Sequence, residues 1–329
     1  MLYSVLDLAQ VPEGSDARRA IANSLDLARH AEGWGYHRFW LAEHHNMPGI
    51  ASVATAILIG QVAAVTKTIR VGAGGIMLPN HAPFRVAEEF GTLATMFPDR
   101  IDLGLGRAPG GDLAVARALR RNLGGEDDFP NDVVEVMTWL GPDRPEAVVR
   151  AHPGVGTQVP VWILGSSLYG ASLAAALGLP YAFASHFAPA ALREALALYR
   201  DRFTATPFGD TPRFMLAINA IGAETDAEAD FLLTSQQQSF ARLRMGRPGL
   251  MPPPVADIAA VVPAPYLAQA DAALSIRATG GLQRLRKQLA ALIADYQPDE
   301  VILTGAIFDH AKRLRSFQMA AQAMRDVAP

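Results

Sequence analysis

Not one cysteine occurs in the 329 residues. Disulfides, thiolate nucleophiles, iron–sulfur clusters and zinc–thiolate sites are therefore excluded, and a reducing compartment would suit the chain. A surplus of one charge is missing too, since 29 basic residues stand against 32 acidic ones. Nucleic acid or an anionic membrane surface would call for a basic excess, so neither is an expected partner. Long hydrophobic runs are also absent. The most apolar stretch, Ala51 to Val65, is broken by Gly60 and Gln61 and falls short of the roughly 20 residues of a membrane span. The opening MLYSVLDLAQVPEG has neither a basic segment nor a small-residue cleavage site, so the expectation is a soluble, cytoplasmic protein.

What is present is apolar residue in quantity: half of the chain is hydrophobic, enough for a large core. It falls into short apolar runs alternating with helical patterns. The runs are Tyr3–Leu8, Arg38–Glu43, Ile69–Leu78, Arg100–Arg107, Val159–Gly165, Tyr181–His186, Arg213–Ala223 and Glu300–Gly305. Strands without polar alternation are buried on both faces, as in parallel sheets covered by helices. Eight such β/α units predict one (β/α)8 TIM barrel over residues 1–329, with insertions near 108–131 and 246–280. The second insertion, which includes MPPPVADIAAVVPAP, is the candidate lid.

In such barrels chemistry sits at the C-terminal ends of the strands. Those ends carry Asp7 and Gln10, then Glu43-His44-His45, Gly74-Gly75, Arg107, Gly165-Ser166-Ser167 and His186, with Asn219 along strand seven and Thr304 at strand eight. Histidine and carboxylate together raise the possibility of a metal site. However, adjacent residues on an extended strand point to opposite faces, and neither H-x-H nor H-x-x-x-H occurs, so no metal is expected. A Rossmann site is set aside as well: GAGG at Gly72–Gly75 stays within a strand, and GLGRAPGG does not run into a helix. LGSSLYGASLAAALG is more informative, because two serine hydroxyls precede an Ala-rich helix whose free N–H groups can bind an anion. With Arg107 this is either a phosphate clamp or merely a serine cap beside a surface arginine. Gly74-Gly75 similarly allows close approach of a ligand, or only a bulge.

The segments RFWLAEHHN, VGAGGIMLPNHAPFRVAEEFGTLATMFPDRIDLGLGRAPG and WILGSSLYGASLAA resemble the bacterial luciferase-like flavin monooxygenases over nearly the whole chain. The resemblance implies a barrel that binds FMN, with reduced FMN as the working species, delivered by a separate NAD(P)H flavin reductase. Reduced flavin and O2 would form a C4a-hydroperoxide that oxygenates a small-molecule substrate. It implies His44 as the active-site histidine and Arg107 and Ser167 as phosphate ligands, with Ser166 also in the cofactor site and the N–H groups of Leu168, Tyr169 and Gly170 assisting. It also implies a non-proline cis peptide at Gly74-Gly75, beneath the flavin ring. The reactive cysteine of light-emitting luciferase is replaced by Gly106, so light emission is not expected. A flavin- or deazaflavin-dependent reductase or dehydrogenase, and a non-catalytic flavin-binding protein, are the alternatives. The small-residue helix near Val53–Val65 suggests a homodimer packed through the helices after strands two and three.

Overall fold

A computed structural model describes residues 1–108, 111, 113–119 and 128–327. The chain begins with β1 (Leu2–Asp7), α1 (Ala17–Gly33), β2 (Arg38–Leu41), α2 (Thr55–Val65), β3 (Arg70–Met77), α3 (Pro83–Met96) and β4 (Ile101–Gly106). It continues through α4 (Leu113–Ala118), α5 (Phe129–Leu140), β5 (Val161–Gly165), α6 (Leu168–Leu177), β6 (Tyr181–Phe183), α7 (Leu192–Arg202), β7 (Phe214–Gly222) and α8 (Asp226–Arg244). The last elements are α9 (Ala264–Ala273), β8 (Arg277–Gly280), α10 (Leu282–Tyr296), β9 (Glu300–Thr304) and α11 (His310–Val327).

Parallel pairing runs from β1 through β6 in order, then to β7, to β9 and back to β1. That closes an eight-stranded parallel barrel, as the apolar runs predict. β8 is a ninth strand outside the predicted eight. It pairs with the last four residues of β7, Asn219 to Gly222.

Alternation along the strands divides the apolar residues between two cores. In register, Val5, Phe39, Val71 and Ile101 pair across β1 to β4 and belong to the core between barrel and helices. Their neighbours Leu6 and Trp40 turn inward, where they pack with Trp162, Met215, Ala217 and Ile302. The indole of Trp40 needs space that Gly72 provides. A Cβ there would lie 2.9 Å from the indole nitrogen and 2.5 Å from the Asp102 carbonyl. Helix starts follow ordinary capping chemistry: Asp16 caps α1 through Arg19 N, and Thr225 caps α8 through Glu228 N.

The insertion near 246–280 docks on the loops that follow β1 and β2. Its first part pairs Met251 with Val11 and Glu13, through backbone bonds of 2.9 and 2.8 Å. It then runs along α8, where Gln238 donates to the Pro253 carbonyl, Val255 N–H donates to Thr234, and Gln237 donates to Asp271 on α9. Thr234 to Gln238, five polar residues in a row, are consequently all buried. Of the insertion near 108–131, residues 109–110, 112 and 120–127 lie outside the described residues.

Candidate functional site

β2 ends at Leu41, and the next residues turn across the barrel mouth. Glu43 is only 1% exposed, a position that a carboxylate holds only when its oxygens are bonded. Its Oε1 accepts from His45 Nε2 at 2.6 Å and from His81 Nε2 at 2.9 Å, and its Oε2 accepts from Met77 N–H at 3.0 Å. Burial alone would raise this carboxyl. The bond and charge of His81, with the bonds from His45 and Met77, outweigh it and hold the group below its ordinary value. His81 is raised in turn, chiefly by its bond to Glu43. The three side chains have the donor types of a metal site and converge within 4.8 Å, and hydrogen bonds between them join them.

His44 lies between two members of this cluster and faces the other way, into a cavity of about 600 Å3. Burial pushes its imidazole below the ordinary range, although Glu43 opposes the shift and His45 adds to it. A neutral ring at neutral pH is the result. The loop after β6 brings His186 into the same cavity, where burial and then the neighbouring His44 bring its imidazole down to about 3.

A different chemistry enters the cavity from the ends of β4 and β5. β5 runs out through Gly165 into Ser166 and Ser167, and Ser167 stands at the N-cap of α6 without making a side-chain cap bond. Arg107, one residue past β4, lays its guanidinium over the Tyr169 ring at 4.2 Å. Hydroxyls, a guanidinium and a helix N-terminus together form an anion cradle. Between these regions the wall includes Gly74 and Gly75, and the peptide joining them is cis, as the resemblance implied. Trp40, Met77, Phe129, Leu164, Phe183 and Phe187 supply apolar bulk.

Thus His44, Gly74, Gly75, Arg107, Ser166, Ser167, Tyr169 and Gly170 line one cavity. Leu168 does not. As the first residue of α6 it turns its side chain into the core between helices and barrel, which leaves only its N–H group near the mouth. Two other strand-end residues are engaged elsewhere. Asp7 accepts from Ser24, Arg313 and the N–H groups of Leu8 and Ala9, so it ties β1 to α1 and α11. Asn219 donates to the His186 carbonyl at 2.6 Å and accepts from Gln236. The pairing of Glu43 with His81 was not read from the sequence, and no local signal marks it, because 38 residues separate the partners.

The geometry can be set beside known proteins. A family model described as "Luciferase-like monooxygenase" matches residues 1–321. A curated "Luciferase-like monooxygenase" of Escherichia coli (strain K12) is 50% identical over 326 residues, covering 99% of this chain and 97% of that one. Among solved structures, apo-MsnO8 is 35% identical with a TM-score of 0.88, covering 100% and 99% of the two chains. The fold extends to an FMN complex of the oxygenating constituent of 3,6-diketocamphane monooxygenase from Pseudomonas putida. That chain is 18% identical, with a TM-score of 0.72 and coverage of 100% and 98%. It extends equally to an F420-dependent secondary alcohol dehydrogenase, 16% identical, with a TM-score of 0.69 and coverage of 99% on both sides. With a matching model over almost its full length and a close relative at half identity, the chain belongs to the luciferase-like monooxygenase family.

Proposed function

We propose that the protein is an FMN-dependent monooxygenase that oxygenates a small organic substrate with O2, using reduced FMN from a separate NAD(P)H flavin reductase. One observation carries this reading: a single cavity joins an anion cradle to an apolar, neutral-imidazole wall. The residues present fit FMN. Arg107, Ser166 and Ser167, with the N–H groups at the start of α6, would hold its phosphate, and Gly74 and Gly75 leave room beside β3. A volume of about 600 Å3 falls in the range typical of cofactor and ligand sites.

Bound reduced flavin supplies the activation of oxygen, so the chain itself needs few catalytic side chains. His44, kept neutral, can take or hold a proton at a ring nitrogen. Apolar side chains keep water from the reacting atoms. The missing dinucleotide fingerprint supports an external reductase. A homodimer through α2 and α3 is supported by Ile57 and Met96, apolar side chains 68% and 62% exposed on these helices.

Anaerobic titration with FMN, reduced FMN, FAD and a deazaflavin, followed by mixing with O2, tests the assignment. Preferential binding of reduced FMN and consumption of O2 are expected. Tight deazaflavin binding without O2 consumption would instead favour a reductase or dehydrogenase on the same fold, and binding without any turnover a non-catalytic flavoprotein.

A further inference from the structure

Two imidazoles face the cavity, and the proposed function uses only His44. His186 follows β6 by three residues and is held with care. Asn219 Nδ2 donates to its backbone carbonyl at 2.6 Å, and Gln236 Nε2 donates to Asn219 Oδ1 at 2.6 Å. Phe187 packs against the imidazole edge-on, with ring centres 4.9 Å apart. Yet Nδ1 of this ring is buried with no hydrogen-bond partner. Native structures retain few such groups, and one that is retained calls for an explanation.

The covalent geometry of the ring provides one. The bond opposite Nδ1 is Nε2–Cδ2, so a ring that lines the cavity with Nδ1 sealed meets it through that edge. A neutral imidazole has one N–H and one lone pair. An orphaned buried N–H is rarer than an unpaired acceptor, so the proton belongs on Nε2 and the bare lone pair on the sealed Nδ1. Burial, followed by the proximity of His44, keeps the ring neutral, with its titration moved down to about 3. What the cavity receives is a fixed, uncharged N–H donor.

Its surroundings limit what it can bind. Leu6, Leu8, Ala42, Phe183, Ala217 and Ile302 share the lining with the two histidines. An anion there would lose its hydration against groups that the same burial keeps neutral. A hydrocarbon would leave the donor unpaired, the kind of mismatch that discriminates strongly between otherwise similar ligands. A carbonyl oxygen brings an acceptor and no donor of its own. The geometry points to His186 as a specificity-determining residue that donates from Nε2 to the oxygen of an uncharged carbonyl compound. This assignment rests on the monooxygenase reading for the reason such a compound enters the cavity.

Two measurements test it. In 15N-histidine-labelled protein, the His186 signal, assigned by its loss in His186→Gln, should report a neutral Nε2–H ring from pH 8 to pH 5. A proton on Nδ1, or a charged ring at pH 6, would overturn the inference. In the second, 2-heptanone, heptanoate and heptane are titrated into FMN-loaded protein, and the bound-flavin spectrum is followed. The ketone should bind at least tenfold more tightly than either of the others. His186→Phe should remove that advantage without changing FMN affinity, and His186→Gln, which keeps an N–H donor, should restore part of it. Equal binding of heptanoate and ketone, or a ketone preference that survives in His186→Phe, would refute the proposal. The same series on FMN-free protein, read by intrinsic tryptophan fluorescence, separates the two readings. Failure to bind FMN overturns the flavin assignment alone, and loss of the ketone preference in both forms overturns this one.

Discussion

The two ends of the barrel interior solve the problem of buried polarity in opposite ways. At the end where the strands begin, two guanidiniums face two carboxylates. Arg38 donates to Glu300 at 2.8 Å and to Asp102 at 2.7 Å, and Arg70 donates to Asp102 at 2.6 Å. Trp40 Nε1 adds a bond to Asp102, Ser4 adds one to Glu300, and the Arg38 guanidinium lies 5.1 Å above the Trp162 ring. Full charges survive there because each has an opposite charge within bonding distance. At the end where the strands finish, His44 and His186 are neutral and Nδ1 of His186 has no partner. One end is closed mainly by mutual pairing of charges, with Glu300 Oε2 left without a partner. The other keeps bonding capacity unspent, which is what a site that receives a ligand requires.

Breaking the closed end should therefore cost most. Arg38→Met removes the cation shared by Asp102 and Glu300 and leaves buried carboxylate behind. Removal of one partner from a buried pair typically destabilises by about 3–5 kcal/mol. Urea denaturation should show a loss of that size, with little change in the denaturant slope. A loss below about 1 kcal/mol would mean that the network is solvated or redundant, and the contrast between the ends would fail.

The complementary change at the open end should spare stability and damage chemistry. His44→Ala should bind FMN as the parent does, while product formed per reduced flavin falls about 10²-fold and H2O2 rises, the lower range of general acid–base effects. Product and peroxide yields measured together provide the check. Unchanged coupling of oxygen to product would reduce His44 to a wall residue.

The barrel was legible in sequence because its strands are continuous apolar runs, from YSVL at the start to VILT near the end. β8 was not, since Arg277-Ala-Thr-Gly is short and half polar, and it exists through pairing with the end of β7. The same limit applies to the candidate lid. Length and proline content mark residues 246–280 as unusual, but only the three-dimensional contacts show that the segment packs on the loop after β1 and on α8 and contributes no residue to the cavity lining. Motif residues such as Arg107, Ser166 and Ser167 come from adjacent barrel units and could be read locally. Asn219 behind His186, and His81 behind Glu43, could not, because a hydrogen bond between neighbouring barrel units leaves no mark on chain spacing.

A smaller effect is expected at the anion cradle, which is open to solvent. Arg107→Ala removes charge-assisted bonding to the phosphate and should weaken FMN by about 2 kcal/mol, roughly thirtyfold. Ser167→Ala should cost less, since one neutral hydroxyl is lost beside helix N–H groups that remain. Fluorescence titration of both variants gives the order. If Arg107→Ala binds FMN like the parent, the phosphate lies elsewhere.

The smallest expected effect concerns the Glu43 cluster, which lies at the open end yet is paired like the closed one. Glu43 joins His45 and His81 to the Met77 N–H, and so fixes the chain on both sides of His44 and the end of β3. His81 is raised above its ordinary 6.5, so its contribution is complete below that pH and is lost as pH rises through the folded value. Glu43 is lowered from 4.5, so its contribution is complete above that pH and is lost as pH falls through the folded value. Both contributions are therefore complete between about pH 4.5 and 6.5, and the alkaline loss belongs to His81. That loss is partial, because neutral His81 still donates from Nε2, and since His81 itself is partly exposed the charge adds about 1 kcal/mol at most. Denaturation of the parent and of His81→Phe at pH 6 and pH 9 isolates the effect. The parent should lose up to that amount relative to the variant over this range, and the gap should shrink in Glu43→Gln. A parent that gains stability relative to His81→Phe as pH rises would reverse the sign and show that the imidazole is not held protonated by Glu43.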